Sequence, residues 1–193
     1  MKKPKIVLID GLPTSGKSTT SYNLARKLPG WIFMDIWRIK DIFEPLGYST
    51  DLDKKEADDL MEISKEFTIR LAKEVIRKTQ RNLILQETTT KFAKKKLGKD
   101  LKKYNYQIFT VQLKVPMKQA IKRNIKRKKP TLNFLQGWDE ERWENKIKKK
   151  TKKGDIVVDT FENNQEEVVK IILKAIGEKA RKHPYEKLVR KFW

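Results

Sequence analysis

One octapeptide constrains this chain more than any other stretch. Residues Gly11–Ser18 read GLPTSGKS and fit the pattern G-x-x-x-x-G-K-[ST] at every fixed position. The apolar run Ile6-Val7-Leu8-Ile9 precedes it, and a helix-like segment from Ser18 to Leu28 follows. That context matters because a phosphate-cradling loop must join a buried strand to a helix N-terminus. Backbone N–H groups of the loop and the positive end of the helix dipole then address the same anion. The expected cradle comprises Gly11, Pro13, Thr14, Ser15, Gly16, Lys17, Ser18 and Thr19. Lys17 is placed to reach the β- and γ-phosphates of a nucleoside triphosphate, and the Ser18 hydroxyl to meet Mg²⁺.

The rest of the chain sets that loop in an α/β frame. Short apolar runs recur at 5–9, 31–34, 82–86, 107–113 and 155–158. Helical patterns fill the intervals at 18–28, 36–44, 53–79, 92–103, 117–128, 138–150 and 165–175. Alternation of this kind predicts βαβ units, with a parallel sheet covered on both faces. The long segment 53–79 carries Ala57, Leu60, Met61, Ser64, Phe67, Leu71 and Val75 near helical spacing, a stripe expected to pack into the core. No Gly/Ser-rich linker or internal repeat interrupts the order, so 193 residues read as one domain over 1–180 and a basic, aromatic tail over 181–193.

Composition removes several chemistries. There is no cysteine, hence no disulfide and no zinc–thiolate site, and His183 is the only histidine. No apolar run approaches the ~18 residues of a membrane span, and the N-terminal strand is too short for a signal peptide. A cytoplasmic protein with no membrane partner is the expectation. The net charge of +21 is unevenly spread: residues 1–96 hold 20 basic and 13 acidic side chains, residues 97–193 hold 26 and 12. Such a field favours a polyanion, and lysine-rich surfaces meet phosphate without reading bases. A nucleic-acid partner bound with weak sequence specificity is the expectation, and the plain alternative is a lysine-rich composition of the kind charged thermophile surfaces show.

Open α/β sheets bind ligands at the carboxyl ends of their strands. The residues there are Gly11–Ser18, Asp35, Glu87 with Thr88, Val115 with Pro116, and Asp159–Glu162. Asp35 closes the second strand and Arg38 lies three residues on, one helical step away. A carboxylate there could accept the proton of an attacking hydroxyl while the guanidinium holds an acceptor phosphate. The plain alternative is an N-cap paired with Arg38. Arg123 and Arg127 stand four apart in a helical stretch that Pro130 must end, and the segment from 123 to 137 reads as a lid. Two arginines there could neutralise charge on a transferred phosphoryl group, or could simply form a solvated basic face.

Together these segments resemble the P-loop kinases, and most closely the phage-type polynucleotide 5′-hydroxyl kinases. The resemblance is carried by Gly11–Thr19, by Pro29-Gly30-Trp31 opening strand two, by Asp35 with Arg38, and by Val115-Pro116 with Lys122-Arg123-Asn124 and Lys126-Arg127. It implies a three-layer α/β/α fold with a central five-stranded parallel sheet and a helical lid. It also implies ATP with Mg²⁺ as donor, Asp35 as general base toward the 5′-hydroxyl of RNA or DNA, Arg38 on the acceptor phosphate, and Arg123 or Arg127 on the donor phosphates. Strand three departs from the family, ending in Gln86-Glu87-Thr88 where an Asp near a Thr is usual, so Glu87 is the candidate for the metal's water shell. Asp159-Thr160-Phe161 is placed to touch the donor base. Two other functions remain open at this level: a small-molecule kinase for a nucleoside, sugar or antibiotic, and an RNA-associated NTPase. The oligomeric state is not legible.

Overall fold

The computed structural model describes residues 3–43, 54–86, 90–127 and 138–181. Its elements run β1 (Lys5–Gly11), α1 (Lys17–Lys27), β2 (Ile32–Asp35), α2 (Ile36–Phe43), α3 (Lys54–Thr79), β3 (Leu83–Gln86) and α4 (Thr90–Lys103). β4 (Gln107–Lys114), α5 (Met117–Ile125), α6 (Glu140–Lys150), β5 (Ile156–Asp159) and α7 (Gln165–Ala175) complete them. The strands form one five-stranded parallel sheet in the order β2-β3-β1-β4-β5. Ile6, Val7, Leu8 and Ile9 are all fully buried. Successive residues of a strand point to opposite faces, so β1 is covered on both sides, as a parallel sheet between helical layers requires.

The chain gathers into two compact units, Met1–Leu8 with Gly30–Ile108 and Ile9–Pro29 with Phe109–Trp193. In the first, β2 pairs with β3 in register from Ile32↔Leu83 to Asp35↔Gln86. Its core sets Ile6, Leu8, Met34, Leu83 and Leu85 against Ile69, Ala72 and Ile76 of α3 and Leu97 and Leu101 of α4. Arg77 Nε donates to Asp100 Oδ1 at 2.9 Å and ties α3 to α4. In the second unit β4 pairs with β5 from Val111↔Ile156 to Lys114↔Asp159, and α1 packs on α7. A smaller core collects Leu12, Val115, Ala120 and Trp143, with Met117, Trp138 and Ile147 against it. The Trp143 indole N–H donates to the Val115 carbonyl at 2.9 Å, which pins α6 beneath the end of β4.

Two sequence expectations change. The buried face of α3 includes Ser64, as expected, but not Phe67 and Leu71, which are 44% and 41% exposed; Thr68, Ile69, Ala72 and Ile76 are buried instead. Ser64 and Thr68 hide inside by donating their hydroxyls to the carbonyls four residues back, Leu60 and Ser64, both at 2.7 Å. A hydroxyl satisfied in this way can be buried, yet an apolar pattern does not count it. The second change is that α5 ends at Ile125, three residues short of the expected stop, with Lys126 as its C-cap. The Arg127 N–H turns back to the Asn124 carbonyl at 3.1 Å. Arg127 therefore lies beyond the helix and is not stacked on Arg123 along one face. Four successive cations from Lys126 and a proline at 130 make a longer helix costly.

Candidate functional site

The glycine-rich loop is built by backbone conformations that few residues adopt. Thr14 has φ of 60° and Gly16 a φ of 90°, both left-handed, and Gly16 caps α1 without any side-chain hydrogen bond. A Cβ at Gly11 would lie 2.4 Å from Ser15 Oγ and 2.7 Å from the Leu113 carbonyl oxygen, so only glycine fits there. The first turn of α1 holds no acidic side chain. Its leading N–H groups, left without intrahelical acceptors, are donors for an anion. Ser15 Oγ is buried with no hydrogen-bond partner among the described residues. A buried orphan hydroxyl inside such a loop fits a site made for a polar ligand.

Lys17 lies across the loop and donates to the Gly11 carbonyl at 2.9 Å and the Leu12 carbonyl at 3.1 Å. Burial lowers its pKa to about 8, against an opposing pull from Asp10, and the positive charges of Lys150 and Arg127 lower it further. Ser18 and Thr19 are exposed on the first turn of α1. Thus Gly11 ends β1, Pro13, Thr14, Ser15 and Gly16 form the turn, and Lys17, Ser18 and Thr19 open α1.

Two charged contacts around the loop have no counterpart in the sequence reading. Asp10, the last residue before the glycine, is 3% exposed and accepts from the Gly11 N–H at 2.6 Å and from Lys150 Nζ at 2.8 Å. The last turn of α6 is thereby fastened to the root of the loop. Asp10 carries a readable signal: a lone carboxylate ending an apolar run needs a partner when buried. Lys150 carries none, standing in the run Lys148-Lys149-Lys150.

Arg123 also finds a definite place. One guanidinium nitrogen donates to the Thr14 carbonyl at 3.3 Å and to Thr160 Oγ1 at 2.9 Å, and a second donates to the Thr160 carbonyl. Thr160 in turn donates to the Lys114 carbonyl at 3.2 Å. Arg123 thus braces the left-handed Thr14 against the turn after β5. In that turn Asp159 Oδ1 accepts from the Phe161 N–H at 2.8 Å, and the Phe161 ring is exposed.

Asp35 and Arg38 belong to the other unit. Asp35 is the last residue of β2, beside Gln86 in the register, and α2 starts at the next residue. Arg38 is exposed on the first turn of α2. Glu87, residues 128–137 of the expected lid, His183 and the tail from 182 onward lie outside the described residues.

No family model matches the chain, and no curated protein matches it in sequence. Solved structures do resemble it. Shikimate kinase from Aquifex aeolicus is 22% identical with a TM-score of 0.60, over 89% of this chain and 96% of that one. The tunicamycin resistance protein of Deinococcus radiodurans is 16% identical with a TM-score of 0.63, over 92% and 98%. A gluconokinase from Sinorhizobium meliloti is 12% identical with a TM-score of 0.54, over 92% and 94%. This chain has their fold. The likeness spans nearly the whole length of each structure. Among the described residues no helix is long and apolar enough to cross a membrane.

Proposed function

We propose that this protein is a kinase that transfers the γ-phosphoryl group of ATP to a hydroxyl, with the 5′-hydroxyl of RNA or DNA as the favoured acceptor. The observation that carries the reading is the loop itself. A glycine that tolerates no Cβ, two left-handed residues, and a lysine folded over the turn stand at the start of an uncapped helix. In this reading Lys17 leaves the Gly11 and Leu12 carbonyls for the donor phosphates, whose negative charge attracts it where its present neighbours Lys150 and Arg127 repel it. Loop N–H groups hold the same phosphates, while Arg123 keeps Thr14 in its left-handed conformation.

A bound Mg²⁺ would supply charge neutralisation; Ser18 would hold it, with Glu87 as the second candidate. Asp35 takes the proton from the acceptor hydroxyl as that oxygen bonds to the γ-phosphorus and the bond to the β-phosphate oxygen breaks. Arg38 steadies an acceptor phosphate. Arg127, whose charge is felt at Lys17, offsets the negative charge carried by the donor.

The acceptor preference rests on the basic excess of the second half of the chain, 26 basic against 12 acidic side chains from residue 97 onward. The competing acceptor is a small hydroxyl compound, favoured by structural neighbours that are a shikimate kinase and a gluconokinase. Labelled ATP offered to 5′-hydroxyl oligonucleotides and, separately, to sugars, sugar acids and nucleosides decides between them. Label on the oligonucleotide is the expected result, and label only on a small compound replaces the acceptor while keeping the kinase. Free phosphate released on adding RNA, with no labelled acceptor, would instead mark an NTPase.

A further inference from the structure

We infer that one flank of α6, from Trp138 to Lys149, is a docking groove for single-stranded nucleic acid. The helix sorts its charges by side. Glu140 and Glu144 share one flank, where Lys118 and Lys148 pair with them at 3.7 and 3.9 Å. Arg142, Lys146 and Lys149, spaced four and three apart, share the other. Among the described residues neither Lys146 nor Lys149 has a carboxylate within ion-pair distance. This second flank borders an open groove of about 430 Å³ that begins at Trp138.

Trp138 gives the groove its aromatic end. The ring packs edge-on against the buried Trp143, with centroids 5.8 Å apart at 71°, and is held half-buried by that contact. The guanidinium of Arg142 lies 5.5 Å from the centre of the Trp138 ring. An indole and a planar guanidinium fixed together form a surface on which a base can stack, whatever its identity. Arg142 is itself anchored, since its backbone N–H donates to the N-cap Asp139 at 2.7 Å. Asp139 and Glu141 are the carboxylates at the tryptophan end, and the lysines stand one and two turns beyond Arg142. Bases therefore belong at the tryptophan end and phosphates at the lysine end.

Direction supports the assignment. From Glu140 to Lys149 the helix rises by nine steps, about 13 Å at 1.5 Å per residue, with Trp138 and Asp139 ahead of its first turn. The next residue, Lys150, reaches Asp10 at the root of the glycine-rich loop. A strand lying along the flank thus runs toward the phosphate loop. The groove bears on the acceptor reading above without resting on it, because a strand that cannot accept a phosphoryl group should bind equally well.

The test is fluorescence anisotropy with a 3′-labelled, 5′-phosphorylated single-stranded oligonucleotide of mixed sequence, without ATP. The full chain is compared with Lys146→Gln/Lys149→Gln, Trp138→Phe, Trp138→Ala, and a control, Lys118→Gln/Lys148→Gln, which removes the same charge from the opposite flank. The groove variant should lose on the order of tenfold in affinity, and its salt slope should fall by about 1.4, the value for two single-strand phosphate contacts. The control should change less than twofold. Trp138→Ala should lose about 5- to 150-fold, the range for one base–aromatic stack, with Trp138→Phe in between. Because Trp138→Ala touches a packed ring, the surface lysine pair decides if that variant fails to fold. Equal losses in the two lysine pairs would overturn the proposal, since they would report net charge alone. So would tighter binding of blunt duplex than of single strand, or binding to phosphatidylserine vesicles that the oligonucleotide does not displace.

Discussion

Substituting Lys150 with methionine isolates the ion pair that fastens α6 to the phosphate loop. The Asp10 side chain is 4% exposed and that of Lys150 20%, with 2.8 Å between their charged atoms. Removing one partner of a buried pair strands the other charge in a poor solvent, at about 3–5 kcal/mol. Two features hold the loss near the lower end. The Gly11 N–H still donates to Asp10 at 2.6 Å, and Lys17 is near enough to attract the same carboxylate. We therefore expect Lys150→Met to cost about 3 kcal/mol, which for a chain of this size is a fall of roughly 6–12 °C in Tm. Asp10→Asn should cost less, because a neutral amide retains an acceptor for the Gly11 N–H. The double variant should recover most of the loss, since it leaves no unpaired buried charge. Thermal and urea unfolding of the four proteins gives the coupling energy directly. Additive losses, or a single-variant cost below about 1 kcal/mol, would show that the pair is a surface contact and refute the reasoning.

Three further outcomes follow from the same geometry. Lys17 has its pKa lowered to about 8 in the folded protein, against 10.5 for the ordinary side chain. Between those values the unfolded chain binds the extra proton, so this group makes the folded state more stable as pH rises from 8 to 10.5. The difference in urea-unfolding free energy between the native chain and Lys17→Met should widen in the native chain's favour across that window, and a flat difference would contradict the burial of Lys17. Gly11→Ala should destabilise by about 1–3 kcal/mol and weaken nucleotide binding, because its new methyl meets a backbone oxygen at 2.7 Å. Arg123→Lys, which replaces a three-bond fork by a single point charge, should weaken ATP binding about tenfold while leaving Tm within a few degrees; unchanged binding would remove Arg123 from the loop's support.

Most of the architecture was legible because apolar runs of four to eight residues, separated by helical periods, leave few alternatives to a parallel sheet. Every expected strand and helix is present, with no end displaced by more than three residues. The errors share a cause: each depends on hydrogen bonds that residue type alone does not reveal. Thr68 reads as polar, yet it is buried because its hydroxyl bonds to the Ser64 carbonyl of its own helix. The end of α5 is marked by a turn at Asn124–Arg127, ahead of the proline at 130. The strand–turn–helix placement of the glycine-rich loop was legible, since its motif fixes residues at fixed spacing between a buried strand and a helix. Its supports were not. The Asp10–Lys150 pair joins residues 140 positions apart, and no local pattern selects Lys150 among its lysine neighbours.

The central claim is that a triphosphate held by this loop gives up its γ-phosphoryl group to an acceptor whose proton goes to Asp35. The most direct measurement offers γ-labelled ATP and Mg²⁺ with a 5′-hydroxyl oligonucleotide to the native chain and to Asp35→Asn, while ATP binding by both is followed calorimetrically. The account expects label at the 5′ end with the native chain, at least 10³-fold less with Asp35→Asn, and ATP affinity equal within about twofold. Undiminished turnover in Asp35→Asn, or no ATP binding by the native chain, would contradict it.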